Sequence, residues 1–217
     1  GRALPSGRLS VGTAFAIAVA LALAAATLLV GGVNCLAASL SLLGLCSYVL
    51  LYTVLLKPRT PQNIVIGGAA GAVPVLVGWS AVNNNVSWTA VVLFLLIFLW
   101  TPPHFWALAI RHADDYRAAN VPMLPVVATS TETIRSMYLY TVALVTSSLV
   151  LAPVADLGPT YWALAVLLGA AFLWGVDVLR RNPTPRVSMR LFSYSISYIT
   201  LLFGAMTADV LIRHGVS

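Results

Sequence analysis

Residues 88–115 read "WTAVVLFLLIFLWTPPHFWALAIRHADD", and from Trp88 to Ile110 there is no Asp, Glu, Lys or Arg. At ~1.5 Å rise per residue such a run is roughly 35 Å long as a helix, enough to cross the ~30 Å hydrocarbon core of a bilayer. Lipid offers the backbone no hydrogen-bond partners, so an isolated spanning run must be helical. This stretch therefore decides the fold class. It also poses a functional question, because it ends on Arg111, His112 and the adjacent acids Asp114 and Asp115.

Working outward, similar apolar runs occupy residues 9–30, 35–56, 63–82, 135–154, 159–179 and 190–212. The chain has 217 residues, of which 60% are hydrophobic and only 8% charged. Its mean hydropathy is +0.93. A soluble globular domain carries about a quarter charged residues, so that class is excluded. The expectation is an all-α polytopic membrane bundle of about seven transmembrane helices, with residues 1–217 forming a single membrane-embedded domain. Short polar breaks join the spans: "GGVN", "LKPRTPQN", "VNNNVS", the 111–134 segment, "ADLGPT" and "RRNPTPR". Cys35 and Cys46 match no metal-site spacing and read as buried thiols without a disulfide. Trp79, Trp88, Trp100, Trp106, Tyr161 and Trp162 lie near predicted helix ends and read as interfacial anchors.

With the N-terminus in the cytoplasm, every Lys and Arg except Arg213 falls on the cytoplasmic face, from Arg2 and Arg8 through Lys57, Arg59, Arg111, Arg117 and Arg135 to Arg190. That is a positive-inside pattern, and the net charge of +6 reads either as topology alone, which would produce it, or as a face for an anionic ligand. Topology does not ask for acids, yet Asp114, Asp115 and Glu132 share that face. Two readings stand. The acids are solvated and pair with Arg111 or Arg117. Alternatively they are hard oxygen ligands for Mg²⁺ bound to a diphosphate, with bases taking the remaining phosphate charge. If one helix ran on past His112 at ~100° per residue, Trp100, His104, Arg111 and Asp115 would share a stripe, with Asp114 flanking it. Pro102 and Pro103 remove backbone donors from that helix and leave the carbonyls of Phe98 and Leu99 without their usual partners. His104 reads either as a packing residue or as a ligand to haem iron, propionate or phosphate. Gly67 and Gly71 read as a close-packing face, or as a bare floor that lets a flat ligand approach the backbone.

These residues carry a resemblance. "YTVLLKPRTPQNIVIGGAAGAVPVLVGW" (52–79), "WTPPHFWALAIRHADDYRAANVPMLPVV" (100–127) and "ALPSGRLS" (3–10) resemble the haem branch of the UbiA-type intramembrane prenyltransferases. The resemblance implies nine helices around a central cavity that opens at the cytoplasmic face. It implies transfer of a farnesyl group from farnesyl diphosphate to a vinyl group of haem B, giving haem O, with Mg²⁺ held by two Asp motifs. The second Asp motif falls on "DDYRAANVPMLP" (114–125), which makes Asp115, Asp114 and Tyr116 the implied catalytic and metal-binding residues. Lys57, Arg59, Asn63, His104, Arg111 and Arg8 are the implied substrate-binding residues, with Thr60 and Gln62 in the same basic loop. Two departures stand out: Ala3 where the family has Pro, and Asn120 where it has Gly. Asn tolerates left-handed backbone better than most residues. The family's first two helices and first Asp motif have no counterpart, so the expectation is an N-terminally truncated form. The resemblance also implies a bacterial inner-membrane location, with haem A synthase or the cytochrome oxidase assembly machinery as neighbours. Three rivals are carried: a prenyltransferase acting on a quinone or chlorophyll precursor, a non-catalytic haem-binding assembly factor, and a transporter. The last fits poorly, because the ionisable groups collect at one end and no repeat is visible.

Overall fold

The computed structural model describes residues 6–57 and 59–215, apart from the side chain of His214. Arg2 and Ala3 lie outside the described residues. Seven helices are long and apolar enough to cross a membrane. They are α1 (Val11–Gly32), α2 (Cys35–Cys46) with a π-helical continuation (Ser47–Leu56), α3 (Asn63–Asn83), α4 (Trp88–Arg111), α7 (Ser130–Val154), α8 (Pro159–Arg181) and α9 (Pro185–His214). Two short helices, α5 (Ala113–Ala118) and α6 (Leu124–Val127), lie in the 111–134 segment. The seven-span bundle is as expected, and the short helices are additional.

The helix starts follow capping chemistry more than hydropathy. Thr129 and Glu132 form a capping box, so α7 opens at Ser130, ahead of the apolar run. Thr184 accepts from Val187 N at 3.4 Å and Pro185 takes the first helical position, so α9 likewise opens early. Asn34 caps α2 through Ala37 N (2.8 Å) while its amide donates to Ser80 O (2.8 Å), tying α2 to the end of α3.

Helix α4 is the hub. It packs on α3, α7 and α9, and α7, α8 and α9 pack on one another in sequence, so α4, α7, α8 and α9 close a four-helix ring. Leu96, Met137, Leu144, Phe172 and Tyr198 fill its core and are fully buried. Helices α3, α2 and α1 extend from α4 as an arm in which α1, among the described residues, packs only on α2. No residue of α1 is buried, which suits a helix facing lipid.

Three expectations are corrected. Cys35 and Cys46 are free but exposed, because α2 packs through Ala37 and Ala38 on the opposite face. Trp106 and Tyr161 are buried core residues rather than interfacial anchors. Tyr161 donates its hydroxyl to Ser148 O at 2.9 Å, and Trp100 is half-buried with its indole N–H on Ser195 O at 2.8 Å. Proximity to a helix end does not place a side chain at the interface when it sits on a packed face, as Trp106 does on α4 among α3, α7 and α9, and Tyr161 on α8 between α7 and α9. Trp88, 78% exposed, and Trp162 do point outward.

The end of the bundle away from the basic loops is held by a residue that sequence reasoning passed over. Asp209 on α9 is buried and accepts from Gly158 N (2.6 Å) and Tyr161 N (3.3 Å). Gly158 gives α8 no side-chain cap of its own, so the Asp209 carboxylate caps α8 from the neighbouring helix. Nearby, Arg213 pairs with exposed Asp156 at 3.6 Å.

Candidate active site

Helix α4 stops at Arg111, and His112 (φ −109, ψ 27) breaks the chain before α5 begins. The continuous stripe from Trp100 to Asp115 therefore does not form, and helical phase no longer ranks Asp115 above Asp114. Both acids occupy the first turn of α5. Asp114 accepts from Arg117 Nη1 at 2.5 Å, and Asp115 pairs with His112 Nδ1 at 3.0 Å. Arg117 is thus one of the two partners named for the solvated reading, while Arg111 takes no carboxylate among the described residues. The two acidic side chains remain 95% and 81% exposed, respectively. Pairs this exposed contribute roughly 0–1 kcal/mol, so the carboxylates can exchange partners at little cost.

Packing brings the acidic segment beside the basic loop. Tyr116 of α5 packs on a cluster of Ile64 from α3, Ala109 from α4 and Met123, which leads into α6. Ile64 follows Asn63, the first residue of α3. Asn63 is fully buried: its Nδ2 donates to Lys57 O at 3.4 Å, and its Oδ1 has no hydrogen-bond partner among the described residues. A buried unpaired carbonyl costs on the order of 1–3 kcal/mol, which makes this atom the least settled polar group of the site. Lys57, Arg59 and Arg111 are exposed at the same end, and none is ion-paired among the described residues. Arg8 lies in the bend that precedes α1, outside any helix.

A cavity of about 410 Å³ lies elsewhere, between α7 and α8. The cavity on the site side is about 350 Å³ and lies between the π-helical segment, α3 and α4. Tyr48, Tyr52, Trp100, Thr101 and Phe105 form its walls and Gly71 part of its floor. Ile64 lines this cavity and belongs to the cluster on which Tyr116 packs, which places the cavity next to the acidic segment. The two readings of the glycine face divide by residue. A Cβ on Gly67 would lie 2.3 Å from the Tyr52 ring, and one on Gly68 would lie 3.1 Å from Thr101, so both serve close packing. Gly71 faces open space and leaves the backbone bare to the cavity. The tyrosine pair at i, i+4 beside this glycine face was the signal available in the sequence and was not used.

His104 lies seven residues before Arg111, about 10 Å deeper along α4. It is buried and stacked between Trp100 (4.1 Å) and Phe192 (4.5 Å). Ser195 donates its hydroxyl to Phe192 O at 2.6 Å, so the 2.7 Å contact between Ser195 Oγ and His104 Nδ1 is made by an imidazole N–H. That fixes the tautomer and leaves Nε2 as an acceptor with no partner among the described residues. Packing accounts for both ring faces and one nitrogen; only Nε2 is available to a ligand.

Metal binding can be judged from the donors. Among the described residues no three His, Cys, Asp or Glu side chains cluster closely enough to hold a metal ion. Two adjacent exposed carboxylates nonetheless fit Mg²⁺, which keeps several waters and takes one or two carboxylates plus substrate phosphate oxygens. The donor set suits a metal that arrives with a diphosphate, and does not suit a closed protein cage.

Residues 1–202 match the UbiA prenyltransferase family. The chain belongs to that family. The UbiA family is one of prenyltransferases, and relatives within it are similar along nearly all of this chain. The "Protoheme IX farnesyltransferase" of Trichormus variabilis is 49% identical over 97% of the chain, and that of a Synechococcus species is 52% identical over 98%. The corresponding protein of a Parafrankia species is 53% identical over 83%. The chain spans 67% and 65% of the length of the first two. A solved structure described as concerning a digeranylgeranylglyceryl phosphate synthase superposes with a TM-score of 0.81 over 97% of this chain and 74% of that one, at 18% identity. At that identity the likeness shows the UbiA fold alone.

Proposed function

We propose that this protein transfers a farnesyl group from farnesyl diphosphate to a vinyl group of haem B, giving haem O, with Mg²⁺ as cofactor. The observation that carries the reading is the near-half identity to farnesyltransferases of protohaem IX over 97–98% of the chain. The site geometry supports it: two weakly held carboxylates and bases without an ion-pair partner among the described residues share one end of the bundle with an aromatic cavity whose floor is partly bare backbone. By the positive-inside rule that end faces the cytoplasm of a bacterial plasma membrane.

The C1–O bond of farnesyl diphosphate breaks and its electron pair goes to the diphosphate oxygen. A new bond forms between C1 and the terminal vinyl carbon of haem. Water then adds at the inner vinyl carbon and loses a proton, leaving a hydroxyl. When bound, Mg²⁺ supplies neutralisation of the charge that builds on the diphosphate. The chain's residues do the rest. Asp115 and Asp114, paired here with His112 and Arg117, would hold the metal and its diphosphate. Lys57, Arg59 and Arg111 take the remaining phosphate charge. Asn63 Oδ1 offers its unpaired lone pairs beside the basic loop. Tyr48, Tyr52, Trp100 and Phe105 give apolar walls that exclude water while the allylic cation exists. His104 Nε2, about 10 Å deeper along α4 than Arg111, is an available acceptor suited to a haem group.

The test is a competition for acceptor. Membranes carrying the protein receive farnesyl diphosphate, Mg²⁺, haem B and a prenylatable aromatic quinone precursor, and products are read by mass spectrometry. Hydroxyethylfarnesyl haem alone is the expected result. A prenylated aromatic acceptor with haem untouched would overturn the choice of acceptor.

A further inference from the structure

The 410 Å³ cleft between α7 and α8 contains none of the residues discussed above as site residues. Ile134, Arg135 and Tyr138 line it from α7, Asp177 and Arg180 from α8, and Pro183 closes it. It lies at the basic end, where α7 begins and α8 ends. Asp177 accepts from Arg180 Nε (3.0 Å) and Nη2 (2.7 Å) through Oδ1, and pairs with Arg181 at 2.7 Å through Oδ2. Both its oxygens are engaged, so it fixes Arg180 in place and leaves a net positive cleft. Across the cleft Arg135 is exposed and has no carboxylate partner among the described residues. One helical turn further along α7 the exposed side chains turn apolar, with Tyr138 and then Val142.

We infer that this cleft binds the phosphate headgroup of an anionic phospholipid such as a phosphatidylglycerol. Arg135 and Arg180 hold the phosphate from opposite walls, a geometry in which guanidinium groups form charge-assisted hydrogen bonds. An acyl chain lies along α7 over Tyr138 and Val142. Charge complementarity and the switch from guanidinium to apolar surface within one turn favour a lipid over a soluble anion, because a soluble phosphate has no use for the apolar half of the groove. The inference is independent of the acceptor and of the reaction proposed above.

The experiment uses the purified protein in phosphatidylcholine nanodiscs, with binding followed by native mass spectrometry. Phosphatidylglycerol is titrated in, and inorganic phosphate is titrated in a parallel arm. The expected result is saturable retention of phosphatidylglycerol that Arg135→Gln weakens roughly fivefold, in line with one cation near an anionic lipid surface. Arg135→Gln removes no ion pair of the fold, so its melting temperature in phosphatidylcholine should equal that of the parent. Arg135→Gln combined with Arg180→Gln should abolish retention. Retention unchanged in both variants would overturn the inference. So would full competition by inorganic phosphate at equal concentration, which would mark a soluble-anion site.

Discussion

Replacing Asp209 by Ala would remove the only side-chain acceptor that the described residues offer to the start of α8. The carboxylate accepts at 2.6 Å from Gly158 N and at 3.3 Å from Tyr161 N, and all three residues are buried. Hydrogen bonds to charged groups contribute about 1.5–3 kcal/mol each, and the longer bond belongs at or below the low end of that range. The two N–H groups would have no water to turn to. The loss should therefore be roughly 2–4 kcal/mol, and about half of that for Asp209→Asn, which keeps one acceptor oxygen. Asp156→Asn, which weakens only the exposed pair with Arg213 at 3.6 Å, should cost less than about 1 kcal/mol. Equilibrium unfolding in mixed detergent micelles would rank the three variants. Amide exchange at residues 158–161 would show whether fraying starts at the head of α8. Stability within error of the parent for Asp209→Ala, or exchange unchanged at those amides, would refute the capping argument.

Gly67→Ala should destabilise the protein, because the new methyl would lie 2.3 Å from the Tyr52 ring, while Gly71→Ala meets nothing within 4 Å and should leave the melting temperature unchanged. Gly71→Leu should keep the fold but raise the KM for the acceptor, a split that steady-state kinetics would show. Asn120 takes φ 52, so Asn120→Gly should be neutral or slightly stabilising and Asn120→Val should cost at least about 1 kcal/mol; thermal melts of the two variants decide it. Ser195→Ala leaves His104 Nδ1 without its acceptor and frees the tautomer, and should lower haem affinity in a spectroscopic titration without unfolding the bundle.

Much of this was legible in the sequence because membrane helices obey few rules. The charge-free run from Trp88 to Ile110 and its six companions give the span count directly. The one-sided placement of the bases fixes which ends lie together. Asn120 is a smaller success: Asn where relatives are expected to carry Gly pointed to a left-handed residue, and the backbone there is left-handed. Other features could not be read from the chain. Asp209 looks like any acid near a helix end, since its partners Gly158 and Tyr161 are 51 and 48 residues away. The break at His112 has no Gly or Pro to announce it, and that break removed the geometric reason for preferring Asp115. Burial of Trp106 and exposure of Cys46 depend on which helix faces have neighbours, which hydropathy does not encode when every face is apolar.

The most direct test of the central claim is turnover by the parent and by Asp115→Asn in membranes, each supplied with haem B and farnesyl diphosphate, with Mg²⁺ or with EDTA. The account predicts haem carrying a hydroxyethylfarnesyl group from the parent with Mg²⁺ only. It also predicts at least about a hundredfold less from Asp115→Asn, on the scale of removing one group that stabilises transition-state charge, with an unchanged melting temperature. Equal product from both proteins, or product undiminished by EDTA, would contradict it.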